Sequence, residues 1–146
     1  TIKSRCIHFK FALNSIESTS ITNKLLNIKL NEKINKDFIS HYNTPGFYFR
    51  LFHFAKTNGI DIKKTDLKNF LFLIIEKSFY KKNIYIKENF SNLIELYFLK
   101  LYNNHFCRNK ITFLYTKFIN KINDCNKFNL DYESLILEFK SKVLNE

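Results

Sequence analysis

Glycine and proline are almost missing, with two Gly and one Pro among 146 residues. That scarcity excludes collagen-like chains, propellers built on tight turns, and most nucleotide sites that need a glycine cradle. With only Gly46 and Gly59, no G-x-x-x-x-G-K-[ST] phosphate loop can be assembled, so the chain alone is expected to hold no ATP. Long apolar runs are missing too. The longest, Phe70-Leu71-Phe72-Leu73-Ile74-Ile75, has six residues, whereas a membrane span needs about 20. Thr1-Ile2-Lys3-Ser4-Arg5-Cys6 has no apolar signal-peptide core. The three cysteines, Cys6, Cys107 and Cys125, are widely spaced and form no C-x-x-C, which suggests neither a disulfide framework nor a zinc site. His105-x-Cys107 has the spacing of a ligand pair, but no second pair completes a tetrahedron. Methionine is absent altogether, so either the initiator was removed or the start of the protein is missing. A reduced cytoplasmic compartment is the default expectation.

Aromatic and basic residues are abundant instead. Aromatic residues make up 17% and hydrophobic residues 45% of the chain, ample material for a core at a length that buries about 68–70% of the unfolded surface. Lys and Arg number 24 against 13 Asp and Glu, a formal net charge of +11. Only Arg5, Arg50 and Arg108 are arginines, and Ala occurs only at 12 and 55. The favoured residue types have AT-rich codons, so genome composition explains much of the lysine excess. A basic surface attracts phosphates whatever its origin.

Read along its length, the chain is helical in pattern after the first dozen residues. Ile7-His8-Phe9-Lys10-Phe11 alternates apolar and polar, as a short strand does. Asn14 or Ser15 can cap a helix over about 16–28 that carries Ile21, Leu25 and Ile28 on one face. A second helix is expected from Asn31 to about 42, with Ile34, Phe38 and Tyr42 as its stripe. Thr44-Pro45 places a cap before a proline at the first helical position, where a missing N–H does no harm. That third helix carries Tyr48, Leu51, Phe52 and Ala55, and Gly59 ends it. The polar connector 58–64 marks a boundary. Beyond it, Leu67, Phe70, Leu71, Ile74 and Ile75 mark a helix capped by Thr65 or Asp66. Phe90, Leu93, Ile94, Tyr97, Phe98 and Leu101 then fall at helical spacing. Ile111, Leu114, Tyr115, Phe118, Ile119 and Ile122 repeat that template, and a last helix over about 130–144 uses Leu135, Ile136, Phe139 and Val143.

Hydrolytic chemistry finds no machinery here. His8, His41, His53 and His105 lie in four different segments, with no Gly-x-Ser-x-Gly or His-Glu-x-x-His beside them. Asp66, Glu76, Glu88 and Glu95 read as solvated helix charges. Lys81-Lys82 and the aromatics nearby offer a nucleic-acid contact, although a lysine-rich solvent face over an aromatic core accounts for them more simply.

One stretch carries a resemblance. Thr1-Ile2-Lys3-Ser4-Arg5-Cys6, followed by Ile7-His8-Phe9-Lys10-Phe11, resembles the Thr-x-x-Ser-Arg-Cys segment and short strand of clamp-loader subunits. In that family the segment closes the AAA+ core just before a three-helix lid and a helical collar. Asn43-Thr44-Pro45-Gly46 looks like the Ser-Pro-Gly entry to the third lid helix in the delta-prime family of bacterial DNA polymerase III clamp loaders. The stretch from Ile122 through Leu137 is similar to the end of these collars, where an Asn-containing turn precedes the last helix. The resemblance implies a mainly α fold: the end of the AAA+ core over 1–13, the lid over 14–60 and the collar over 61–146. It implies that Arg5 is a trans arginine finger reaching a neighbour's ATP, since a guanidinium offsets charge growing on phosphate oxygens. Ser4 would support the turn and Cys6 would be a small buried residue. ATP-hydrolysing members carry a nucleotide-sensing arginine where this chain has Gly46, and Arg50 lies one turn further on.

These implications describe a stator without catalytic activity of its own. ATP would be bound by neighbouring subunits, with no cofactor in this fragment. Partners would be the ATPase subunits and delta in a five-subunit ring, and, through the complex, the sliding clamp and primed DNA, with no membrane. About one further domain is expected before Thr1. Two other classes fit the composition. A basic helical RNA-binding protein of the ribosomal type would show a steep salt slope and need no upstream domain. A helical adaptor would show an exposed apolar helix face and bind protein only.

Overall fold

The computed structural model describes residues 13–40, 42–104, 108–128 and 130–145. Helix accounts for 79% of them, and no strand occurs among them, so the chain is mainly α. The expected strand Ile7–Phe11 lies outside the described residues, as do Ser4, Arg5 and Cys6.

The helix ends follow from local chemistry. Asn14 and Glu17 form a reciprocal capping box at the start of α1 (Ser15–Leu26), which satisfies two of the backbone donors that a helix start leaves open. Leu30–Lys33 (α2) is a single turn, followed by a turn of 3-10 helix at Lys36–Phe38. Thr44 caps α3 (Pro45–Thr57), with Pro45 at its first position. At the other end Gly59 takes φ +66, while its N–H reaches the Lys56 carbonyl and the Ile60 N–H reaches Ala55. This left-handed closing turn needs glycine for its backbone conformation. Asp66 caps α4 (Leu67–Glu76). A short α5 (Phe79–Lys82) leads into α6 (Ile84–Asn104), where the Asn83 side chain accepts from the Ile86 N–H. The long α7 (Arg108–Phe128) follows. Asp131 accepts from Glu133 and Ser134 to start α8 (Tyr132–Phe139), which continues into a π-helical turn at Lys140–Leu144.

The helix α6 is the centre of the packing, touching α4, α5, α7 and the 3-10 turn. Its stripe Phe90, Leu93, Ile94, Tyr97 and Phe98 is buried as the spacing predicts, together with Ile111, Phe118 and Ile122 from α7 and Leu135, Ile136, Phe139 and Val143 from the C-terminal helix. The expected boundary between 60 and 61 falls in a turn-rich connector, and the core runs across it. Phe38 meets Phe70 edge-on at 5.2 Å, and Phe54 meets Phe70 and Phe79 in the same way. Lys100 on α6 pairs with Asp37, which also accepts from the Leu67 N–H at the start of α4.

Two expectations need correction. The second helix, from Asn31 to 42, is not continuous. Ile34 and Asn35 turn extended, the Asn35 N–H donates to the Ile62 carbonyl, and its side chain caps the 3-10 turn. Tertiary partners for Asn35 and Asp37 thus outweigh the local helical pattern, and Tyr42 ends up exposed rather than in a stripe. In α1 the stripe Ile21, Leu25, Ile28 is not the buried face. Ser18 and Thr22 are buried, while Ile16, Ile21 and Leu25 are exposed.

Candidate functional site

Arg5 and Ser4, the residues the sequence singles out for chemistry, lie outside the described residues, and so do His8, His41, His105, Cys6 and Cys107. Among the described residues no group of three His, Cys, Asp or Glu gathers as metal ligands. His53 is exposed on α3, and Cys125 is half-buried with Sγ 4.0 Å from the Asp131 carbonyl.

The entry to α3, where the resemblance places a missing sensor arginine, has a defined geometry. Arg50 folds back along the helix, its Nε donating to the Gly46 carbonyl at 3.4 Å. A Cβ at position 46 would stand 3.8 Å from the Arg50 Nη2, in ordinary contact. The guanidinium carbon also lies 5.7 Å from the centre of the Tyr85 ring on α6, within the range of a cation–π attraction. The Tyr85 hydroxyl donates to the Phe47 carbonyl at 3.1 Å, and burial pushes its phenol well above the usual range. Arg50 is thereby engaged by its own helix and by a half-buried ring, beside a groove of about 320 Å³ that His53 and Asn83 also line.

Asn43, just upstream, joins three elements. Its carbonyl accepts from Ser18 on α1, its amide donates to the Phe38 carbonyl, and its Oδ1 accepts from Asn92 on α6. Asn43 thus ties α1 and the 3-10 turn to α6 through hydrogen bonds that the sequence alone does not display.

A third feature was not foreseen. Between α6 and α7 runs a groove of about 340 Å³ walled by Phe98, Leu99, Tyr102 and Tyr115, with Tyr42 at its rim and the Glu95 carboxylate among its lining. Burial, with the Glu95 charge adding to it, pushes the Tyr115 phenol up. The spacing Glu95, Leu99, Tyr102 on α6 and Ile111, Tyr115 on α7 is the only trace of it in the sequence. Glu95 itself reads there as an ordinary solvated charge.

The pair Lys81-Lys82 behaves as a solvent face. Lys81 is ion-paired to Glu133 at 2.5 Å across to α8, over the Tyr80 ring at 5.8 Å, and Lys82 is exposed. Among the described residues no helix is long and apolar enough to cross a membrane. Compared with known proteins, the chain matches no family model, no curated protein and no solved structure.

Proposed function

We propose that this chain is the C-terminal part of a clamp-loader subunit: the end of an AAA+ core, a lid and a collar. Within that class it is the delta-prime stator of bacterial DNA polymerase III, a cytoplasmic subunit that helps load the sliding clamp onto primed DNA. It donates Arg5 to the ATP site of a neighbouring subunit, and its collar packs in a ring of five. The observation that carries the reading is Ser4-Arg5-Cys6 with an alternating apolar segment behind it, followed by short helical elements and then a longer bundle. The Thr44 cap and Pro45 at the head of α3 support it at the expected place in the order. Gly46 at the position of the sensor arginine supports the stator assignment, and Arg50, one turn on, is turned toward the Gly46 carbonyl and the Tyr85 ring.

A trans arginine acts mainly when negative charge develops on the transferred phosphoryl group, and such residues contribute about 10³–10⁵-fold in related systems. The effect here is smaller, because several ATP sites fire and Arg5 serves one. In the assembled complex, Arg5→Ala is expected to leave assembly intact on gel filtration and to lower ATPase activity stimulated by clamp and primed DNA. Arg5→Lys restores it incompletely, since an ammonium lacks the planar donor fork. An intact complex with unchanged ATPase and loading rates overturns the arginine-finger assignment. A coding sequence with no AAA+ core upstream of Thr1 overturns the family reading itself.

A further inference from the structure

We propose that the groove between α6 and α7 is a docking site for an arginine side chain presented by a partner protein. The proposal does not depend on the clamp-loader reading, although the groove lies within the stretch which that reading assigns to the collar. Three features of the groove choose the occupant.

The first is its charge. In a chain of net +11, the carboxylate in this lining, Glu95, forms no ion pair among the described residues. Asp37, Glu76, Glu133 and Glu138, by contrast, are each paired with a lysine. An exposed carboxylate without a partner attracts a cation, weakly because water screens it. The second is its walls. Tyr102, Tyr115 and Phe98 supply aromatic surface, with Phe98 and Tyr115 packed edge to face at 5.7 Å. Ring faces attract guanidinium groups held within about 6 Å of the ring centre. One ring of this groove already does so, since the Arg108 guanidinium carbon lies 5.2 Å from the centre of the Tyr102 ring. The third is size. About 340 Å³ suits one long side chain and is too small for a docked helix. A planar guanidinium can bond the Glu95 carboxylate by its edge while its face lies on a tyrosine, a combination that a lysine ammonium cannot make.

The test is a nuclear magnetic resonance titration of the chain, at low ionic strength, with acetyl-Gly-Arg-Gly-amide. The neutral isostere acetyl-Gly-citrulline-Gly-amide and the lysine tripeptide are the comparators. The arginine peptide is expected to shift the resonances of Leu99, Tyr102 and Tyr115 with a millimolar dissociation constant, the lysine peptide to bind more weakly, and the citrulline peptide about tenfold more weakly. Glu95→Gln weakens the arginine peptide about two- to fivefold, and Tyr115→Leu weakens it as well. Glu95 is an exposed helix position, so Gln there keeps the fold, and an unchanged unfolding midpoint checks this. Equal binding of the citrulline peptide, shifts confined to other faces, or full affinity in Glu95→Gln each overturn the proposal.

Discussion

Helix α1 is held by hydroxyls, whereas α6, α7 and α8 are held by rings. On α1 the inward face is Ser18 and Thr22. The Ser18 Oγ donates to the Asn43 carbonyl at 2.9 Å, and the Thr22 Oγ1 donates back to the Ser18 carbonyl at 2.7 Å. Small side chains let α1 approach α3 closely, and each buried hydroxyl has a partner, so burying them costs little. At the other end of the molecule Phe139 is fully buried, with the rings of Phe118, Phe98 and Tyr97 at 5.6, 6.0 and 6.3 Å. Apolar area sets the energy there, and geometry is set by packing. The lesson is that hydrophobic periodicity tells which face is buried only where burial is driven by area. Where a hydrogen-bonded joint holds the helix, the apolar face is free to point outward.

The sharpest way to break this comparison is to remove a ring. Phe139→Ala is expected to cost about 3–5 kcal/mol, read as a lowered urea midpoint. Because one core crosses the connector, the loss should appear equally in probes near α3 and near α7. A cost under about 1 kcal/mol would mean that the ring cluster is loosely packed. Next comes the joint. Ser18→Ala leaves the buried Asn43 carbonyl without its α1 donor and is expected to cost about 1–2 kcal/mol. Hydrogen exchange should speed up in α1 and leave α6 unchanged. Acceleration in α6 as large as in α1 would show that Asn43 is not a local joint.

A smaller effect belongs to the ion cluster that ties α7 to the C-terminal helix. Glu138 accepts from Lys121 and Lys142, with Lys117 at 3.9 Å. Hydrogen bonds from Lys121 and Lys142 hold its carboxyl down to about 2 from an ordinary 4.5. A carboxyl depressed in the folded state stabilises the fold above its unfolded value, and that contribution is lost as pH falls from about 4.5 toward about 2. The lysines are substantially solvated, so the contribution is about 0–1 kcal/mol and shrinks in high salt. Glu138→Gln should lower stability at neutral pH by that contribution and converge with the parent as pH falls toward about 2, which flattens the acid limb over that window. An acid limb identical to the parent's would remove Glu138 as its source.

These contrasts also explain what was legible in the sequence. The α6 stripe, the Asp66 and Asn14 caps and the Gly59 stop depend on neighbours within a few residues, and each is found where its local pattern places it. The break after Leu30–Lys33 depends on Ile62, Leu67 and Lys100, tens of residues away, and no local pattern encodes it. The inversion of α1 depends on Asn43. The aromatic groove is assembled from α6, α7 and Tyr42, so its residues read singly as core or solvent positions. Arg5 is the reverse case: a motif legible in the chain that falls outside the described residues.

The smallest expected effect is the most informative about α1. Leu25 is 58% exposed and Ile16 is 82% exposed. If hydroxyls hold the helix and its apolar face meets water, Leu25→Ser removes little buried area and should change stability by less than about 0.5 kcal/mol. Leu and Ser differ modestly in helix propensity, so part of even that change is local to the helix. The same substitution at Phe139 or Leu93 would disrupt the fold, since both are fully buried. The measurement is a urea unfolding curve for Leu25→Ser beside Ser18→Ala. The hydroxyl deletion should cost more than the leucine, the reverse of what an amphipathic stripe at Ile21, Leu25 and Ile28 requires. If Leu25→Ser costs about 2 kcal/mol or more, as for a buried leucine, the outer face of α1 is covered in solution, and the contrast between the two regions fails.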